Sequence, residues 1–301
     1  MVQTVKYILL LFLIMIFSAC GESVVEIGPS TYIPKIVVEG YLSPGKKVEN
    51  IRITRNFPLN VHGNPLSLIL FSADVRLVDL QSNMEYKLTF NPEKISFEYN
   101  GNDLEIGYGK SYRLNVSASF EGQTLSTSAV TITPNKGFEI LKEESKLGEM
   151  KYREKDNSGN VKNFRLVFTP STGSNFYAVS IVALDADLST FIYDNAYFEV
   201  KEENLRDYFD NYKYEFKWLQ NVNSNVDKIQ YDIEWLDTWF YGNYRTVVYA
   251  GDENYRLFTI TYNRVQEFDG NFHEPRMNLE GDGIGVFGSF IADTVYFKIL
   301  K

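Results

Sequence analysis

Short segments of alternating apolar and polar residues, separated by turn residues, are the feature that most strongly constrains the fold of this chain. Residues 51–55 (IRITR) and 75–80 (VRLVDL) alternate in this way, which predicts β-strands that each bury one face. Glu121-Gly122 is typical of a tight hairpin between two such strands. Seven segments of this kind lie between residues 36 and 132, so residues 33–134 are predicted to form an immunoglobulin-like or prealbumin-like β-sandwich.

The second half of the chain, residues 164–301, is predicted to be another antiparallel β-rich domain. Aromatic residues make up 15% of the sequence, and such side chains favour pleated, half-buried surfaces. A small helical insertion is predicted at residues 201–219, where apolar residues recur at three- and four-residue spacing. Residues 135–163 are charged and contain turn residues, which indicates a linker or an exposed hairpin. The predicted strands of this half are residues 164–169, 176–184, 191–200, 228–235, 239–249, 255–267 and 294–300.

The first twenty residues have the pattern of a bacterial lipoprotein signal. An apolar run of eleven residues follows Lys6, and Ser18 and Ala19 precede Cys20, the chain's only cysteine. The run is too short to span a bilayer. Residues 1–19 are therefore predicted to be a signal peptide and residues 20–32 a lipidated tether, with diacylglycerol and an N-acyl chain on Cys20. The alternative is an apolar thiol at the end of an ordinary secretory signal or a membrane anchor.

These predictions limit the partners and the chemistry that the protein can have. Several acyl chains would hold it at the outer membrane, on either the periplasmic or the cell-surface face. Once Cys20 carries lipid, no thiol remains for a disulfide, an iron–sulfur cluster or a cysteine nucleophile. A net charge of −9 disfavours phosphate backbones, so no nucleic acid is expected as a partner. No cofactor other than the covalent lipid is expected.

Three sequence segments, together with the signal, carry a resemblance to a known family. They are Lys35-Ile-Val-Val-Glu-Gly40, Tyr112-Arg-Leu114 and the glycine-rich residues 278–288 (NLEGDGIGVFG). With these segments the chain resembles a widespread family of Bacteroidetes lipoproteins of unknown function, the DUF4249 family. Genes of that family commonly lie beside genes for TonB-dependent outer-membrane receptors. The resemblance therefore implies a role in the cell envelope, beside such a receptor, but no established activity.

The glycine-rich segment also matches a dinucleotide-binding fingerprint at Gly283, Gly285 and Gly288. That fingerprint requires a preceding strand, a following helix and an acidic residue about twenty positions later. Only a strand-like segment follows before the chain ends, so nucleotide binding is not favoured. Gly281, Gly283, Gly285 and Gly288 are instead predicted to form a tight structural loop, because glycine permits positive φ and close backbone approach. Val286 and Phe287 are predicted to fill a core beside this loop.

Residues that could support catalysis or metal binding are few. His62 and His273 are the only histidines, and neither lies in a recognisable nucleophile or zinc motif. Asp185 and Asp187 could offer oxygens to calcium, but the remaining ligands of a known loop are missing. The sequence therefore predicts no catalytic residue, no metal site and no enzyme activity.

The tryptophans are the candidate contact residues. An aromatic-rich region contains Trp218, Trp235 and Trp239. If their rings are exposed, they would form a platform for sugars or a protein partner; if they are buried, they would belong to the hydrophobic core. Core packing is favoured. Two functions remain open: an accessory or docking partner of a TonB-dependent receptor, and a surface lipoprotein that captures glycans or peptides through the tryptophans. Both are non-enzymatic.

Overall fold

One long strand connects the two halves of the molecule. The computed structural model describes residues 32–58, 64–198, 200–201, 205, 209–223, 225–262 and 275–301, and residues 34–301 form one compact unit. Strand β16 covers the 18 residues Gly283–Leu300 and pairs with strands from both ends of the sequence. Cys20, His62 and His273 lie outside the described residues.

The N-terminal half contains seven strands and contributes to two sheets. Its β1 and β2 join the same sheet as β16, whereas β3 to β7 form a second sheet in the order β15-β7-β6-β3-β4-β5. These strands are β1 (Ile36–Leu42), β2 (Arg52–Arg55), β3 (Asp74–Asp79), β4 (Met84–Asn91), β5 (Ser96–Glu98), β6 (Ser111–Phe120) and β7 (Gln123–Ile132), with β15 (Glu280–Gly281) from the second half.

The C-terminal half places a three-stranded sheet, β13-β10-β8, beside the larger sheet β12-β11-β14-β16-β1-β2. Neighbouring strands are antiparallel except where β16 runs parallel to β1 and to β9. The elements are β8 (Glu139–Ile140), β9 (Gly148–Lys151), β10 (Phe164–Thr169), β11 (Tyr177–Ala183), β12 (Tyr214–Leu219), β13 (Ile229–Ile233), β14 (Gly242–Gly251) and helix α1 (Glu253–Tyr262).

Two large cores fill these layers, and β16 contributes to both. Phe287 packs in the first core among aliphatic residues of β1, β3 and β6. Val295, Phe297 and Ile299 pack in the second core with residues of β10, β11 and β14. Because one strand supplies side chains to both cores, the packing of each half depends on the same backbone register.

The mainly β architecture predicted from the sequence is confirmed. The predicted hairpin at Glu121-Gly122 is confirmed as well, since these two residues connect β6 and β7. Both have positive φ, 52° and 77°, which matches a two-residue turn of the kind that follows strand twist. Residues 135–163 contain β8 and β9, and β9 pairs with β16.

Several local predictions are wrong, for reasons that lie in the packing. The strand predicted at residues 255–267 is wrong where the structure describes it: residues 255–262 belong to helix α1, because the Asp252 carboxylate accepts the Tyr255 N–H at 2.9 Å and caps the first turn. Residues 263–267 lie outside the described residues. In the helical insertion predicted at residues 201–219, residues 205 and 209–212 are helical, but Tyr214–Leu219 form strand β12. Residues 191–198, predicted to lie in a strand, make an isolated bridge at Phe191.

The glycine-rich segment is not the predicted loop. Gly283, Gly285 and Gly288 lie inside β16, and Gly281 ends the short β15. Gly285 has φ of +112°, and a Cβ there would lie 2.1 Å from the Val38 carbonyl oxygen of β1. A side chain is therefore excluded by the neighbouring backbone. Val286 and Phe287 are buried, as predicted.

Candidate binding surfaces

Strand β12 places three aromatic rings on the face of the large sheet that points away from the second core. Tyr214, Phe216 and Trp218 alternate with Glu215 and Lys217, and alternate residues of a strand point to opposite faces. Consecutive rings in the series lie 6.3 Å apart. Tyr214 is 50% exposed, and Phe216 and Trp218 are partly exposed. The tryptophan at 218 is therefore neither an isolated surface residue nor core.

The same face continues across the sheet. In register with β12 it presents Ala178, Ser180 and Val182 of β11, then Arg245, Val247 and Tyr249 of β14, then Ala292, Thr294 and Tyr296 of β16. Helix α1 covers one end, where Tyr255 packs on Phe176 and Phe290. At the other end Tyr296 is 60% exposed. We call Tyr214, Phe216, Trp218 and Tyr296, with the residues between them, the outer aromatic face.

The charge of the outer aromatic face differs from that of the whole chain. The chain carries a net charge of −9, yet none of the positions just named is an aspartate or glutamate. Arg245 is exposed and lies between Val182 and Tyr296 in the register, at the end of the face away from α1. An apolar, partly exposed sheet surface with a cation and no carboxylate at these positions is suited to contact with another macromolecule.

A second surface surrounds Trp239. A cavity of about 380 Å³ is lined by Phe198, Asn211, Tyr212, Glu215, Lys217, Leu236, Asp237 and Trp239. The Trp239 ring lies 4.7 Å from that of Tyr212 and is stacked with those of Phe191 and Phe198. Phe198 is 55% exposed. This cavity, which we call the Trp239 cleft, combines an aromatic wall with charged and amide groups.

The charged groups of the Trp239 cleft are centred on a buried carboxylate. Lys217 Nζ lies 3.1 Å from Asp237 Oδ1 and 3.4 Å from Glu215 Oε1. Burial raises the pKa of Asp237, and the bond from Lys217 opposes this shift only in part. Burial lowers the pKa of Lys217, but the hydrogen bonds and charges of Asp237 and Glu215 together outweigh burial, so that the net shift of the Lys217 pKa is upward. Lys217 therefore stays cationic at the floor of the cleft.

Trp235 is a core residue. Its side chain is 3% exposed, and its indole N–H donates to the Lys162 carbonyl at 2.8 Å. Its ring contacts those of Tyr152 and Phe164. The three candidate contact tryptophans thus occupy three environments, with Trp218 on the outer aromatic face, Trp239 in its cleft and Trp235 in the core. They do not form one platform.

A second cavity, of about 410 Å³, lies where the end of β7, residues 171–176 and the start of α1 meet. Its most constrained group is Asp252, whose carboxylate accepts bonds from the Thr131 hydroxyl and from the N–H groups of Tyr255 and Ser289. Burial raises the pKa of Asp252. Since its oxygens are already engaged in joining the two halves, we assign this residue a structural role.

Catalytic or metal constellations are not apparent in the part of the chain that the structure describes. No group of three histidine, cysteine, aspartate or glutamate side chains there is arranged to hold a metal ion. Asp185 accepts bonds from the Asn243 backbone and side-chain N–H groups, and Asp187 accepts from Ser189. Within the same residues, no helix has the length and apolar character needed to cross a membrane.

Comparison with known proteins gives a family and no activity. No curated protein matches the chain. Among solved structures, the FN1–FN3 domains of chicken CNTN1 show 10% identity and a TM-score of 0.18, with 88% of this chain and 67% of that one covered. A 1.5-MDa bacterial ice-binding adhesin shows 12% identity and a TM-score of 0.20, with 90% and 66% covered. Such scores support no inference about function.

A family model matches residues 22–295, which include every strand of the structure up to the middle of the last one. The match thus spans the outer aromatic face, the Trp239 cleft and the glycine-rich start of β16. Its description is a domain of unknown function. The chain belongs to the DUF4249 family.

Proposed function

We propose that the protein is a non-enzymatic, lipid-anchored lipoprotein of the outer membrane that serves as an accessory or docking partner of a TonB-dependent receptor. The outer aromatic face is the observation that supports docking. Tyr214 and Tyr296 are half-exposed or more on a sheet surface that carries Arg245 but no carboxylate at the named positions. Monomeric soluble proteins rarely expose large contiguous apolar patches, and those that occur often mark interaction sites.

The composition of this face fits a protein partner. Tyrosine, tryptophan, phenylalanine and arginine are enriched at protein interfaces, and charged residues are depleted at their centres. The rings also lie on strands rather than loops, so little side-chain or backbone order has to be gained on binding. Arg245 supplies a single cation toward which an acidic or carbonyl-rich partner surface would be oriented.

Copurification tests the docking function. The full-length protein would be extracted from its native envelope in mild detergent, and a large β-barrel receptor is expected to copurify with it. The double variant Tyr214→Ser and Tyr296→Ser should lose the receptor. Phe71→Ser, which removes a ring 66% exposed in the N-terminal half, is the control and should retain it. Equal recovery of the receptor with both variants would contradict docking through this face.

The Trp239 cleft supports a second function, capture of a glycan or peptide. Aromatic rings can stack on the apolar faces of sugars, while Asn211, Glu215 and Lys217 provide donors and acceptors that fix orientation. Binding would be measured by calorimetry with the detergent-solubilised protein and defined oligosaccharides or peptides. Trp239→Ala should abolish it, whereas Trp218→Ala should leave it intact. Equal losses with both variants would contradict a site in the cleft.

A further inference from the structure

Strand β12 forms one end of the large sheet. It pairs with β11 on one side, and none of the described strands pairs with its other side. At the opposite end of that sheet, β2 is covered, because the Leu70 N–H donates to the Ile53 carbonyl and Thr54 bridges to Ile69. The two ends of the sheet therefore differ: β2 is closed by a loop, and β12 presents an edge.

The pairing with β11 fixes which backbone groups face that edge. The Ala183 N–H donates to the Lys213 carbonyl, and hydrogen-bonded pairs alternate along an antiparallel ladder. Lys213, Glu215 and Lys217 therefore direct their backbone groups to β11, whereas Tyr214, Phe216 and Trp218 direct theirs to the open side. In agreement, the Phe216 N–H donates at 3.3 Å to a carboxylate oxygen of the adjacent Glu215 rather than to a strand.

The sequence of β12, Tyr-Glu-Phe-Lys-Trp-Leu, is complementary to itself when reversed. If a second copy lies antiparallel with Phe216 opposite Phe216, then Tyr214 faces Trp218 and Glu215 faces Lys217, each twice. The residues with outward backbone groups become the hydrogen-bonded pairs. The Glu215–Lys217 pairs fall at non-hydrogen-bonded positions, where opposite Cα atoms are only about 4.5 Å apart and side chains interact most closely.

We propose that two copies of this chain associate through their β12 edges, with Phe216 opposite Phe216, to form one continuous antiparallel sheet. This inference goes beyond receptor docking and does not depend on it. The edge supplies main-chain hydrogen bonds, and the alternating side chains supply specificity. An edge strand that carries a lysine normally discourages pairing, but here each lysine meets the glutamate of the other copy.

Competing registers and partners are less favourable for specific reasons. A shift by two residues places Glu215 opposite Glu215 or Lys217 opposite Lys217, and like charges directly opposite each other destabilise a sheet. Lys217 already contacts Asp237 at 3.1 Å, so the partner's glutamate would join an existing ion pair. The isologous arrangement also closes on itself, because each chain uses its only edge at this end of the sheet.

Cysteine cross-linking tests the proposed register in the full-length chain. Phe216→Cys should form a covalent dimer under mild oxidation, because the paired Cα atoms would be about 5.5 Å apart, within the range that a disulfide bridges. Ala292→Cys, on the same face but three strands further in, is the matched control and should give about tenfold less dimer. The unaltered chain, with Cys20 alone, provides the baseline.

Three further variants test whether the register is the proposed one. Tyr214→Cys alone should not cross-link, whereas a mixture of Tyr214→Cys and Trp218→Cys chains should form a mixed dimer. Glu215→Lys in the Phe216→Cys background should abolish the dimer, since it creates two lysine pairs. A folded Phe216→Cys protein that stays monomeric would overturn the proposal, and so would equal cross-linking of Tyr214→Cys alone. Retained receptor binding by the Glu215→Lys variant would separate this edge from the docking face.

Discussion

The two cores of the molecule are built from different side chains. The N-terminal core consists mostly of isoleucine, valine, leucine and alanine, with few rings such as Phe97 and Tyr112. The C-terminal core contains a much larger share of aromatic residues, including Phe164, Phe168 and Tyr244. The aromatic packing of the second core continues outward from Phe191 to Trp239 and Phe198.

This difference separates a supporting half from a binding half. Both the outer aromatic face and the Trp239 cleft belong to the C-terminal half. The rings of the cleft are continuous with the second core, and the rings of the outer aromatic face lie on the opposite side of the same sheet from that core. Rings that are packed on one side and exposed on the other keep their orientation without a partner, which lowers the entropy that binding must overcome. The N-terminal half contributes β1, which supports β16 by parallel pairing.

The largest expected effect comes from Phe287, a residue that does not follow the division between the two halves. It comes from the C-terminal part of the chain but is fully buried in the N-terminal core. We expect Phe287→Ala to destabilise the protein by about 3–5 kcal/mol, because the lost contacts leave a cavity. The free energy of unfolding would be measured by urea titration with circular dichroism.

Phe297→Ala is the matched control, since Phe297 lies on the same strand but in the second core. If the halves fold as one unit, both variants should shift a single transition by similar amounts. Two separated transitions, with only one of them moved by each variant, would show that β16 does not couple the cores.

Gly285 is expected to give the next largest effect. Its φ of +112° is strained for any side chain, and a Cβ would meet the Val38 carbonyl oxygen at 2.1 Å. We expect Gly285→Ala to destabilise by at least about 1–3 kcal/mol from the backbone conformation alone. Gly45→Ala, at φ of +70° but with open space around the Cβ position, separates conformational strain from collision with β1. Equal losses at both positions would argue against the collision.

The sequence was sufficient for the class of fold and for the strands of the N-terminal half. Strict alternation, as in residues 75–80, identifies strands because one face of each is buried, and β3 runs from Asp74 to Asp79. The hairpin at Glu121-Gly122 is a local property of two residues. Features of this kind depend on short-range geometry, so they can be read before any tertiary contact is known.

Features that depend on distant residues were not predictable. Tyr214, Phe216 and Trp218 were placed in a helix, although rings at every second position indicate a strand; three- and four-residue spacing just before them gave the competing signal. Asp252 caps α1 while also binding Thr131, more than a hundred residues away. Lys217 and Asp237 meet only because β12 lies beside the 3₁₀ turn at Trp235–Asp237. The signal at Cys20 and the predicted receptor remain predictions.

Asp252 allows the junction between the halves to be tested by pH. Asp252→Ala should destabilise by about 1–3 kcal/mol, because the Thr131 hydroxyl and two backbone N–H groups lose their acceptor. Burial raises the pKa of this carboxyl above its unfolded value. Its protonation therefore adds stability that is fully present below the unfolded pKa of about 3.9 and is lost as pH rises through the folded pKa.

Asp252→Asn keeps an acceptor oxygen and cannot ionise, so it should lose less stability than the alanine variant. Relative to it, the unaltered protein should become more stable as pH falls from 7 toward 4. Chemical denaturation of both proteins across this pH range measures the difference between their free energies of unfolding. Contributions from other titrating groups are common to both proteins and cancel in this difference. A difference that is constant with pH would contradict a raised pKa.

The smallest effects distinguish the core tryptophan from the cleft tryptophan. Trp235→Phe should destabilise by about 0.5–1.5 kcal/mol, because the Lys162 carbonyl loses the indole N–H that donates to it inside the protein. Trp239→Phe removes part of a ring in a cavity wall and should change stability by less than about 0.5 kcal/mol. The melting temperature measures the loss of stability in Trp235→Phe, and ligand retention measures the effect of Trp239→Phe on binding. If instead Trp239→Phe proved the more destabilising, Trp239 would be a core residue of the C-terminal half. The Trp239 cleft would then not be a binding surface.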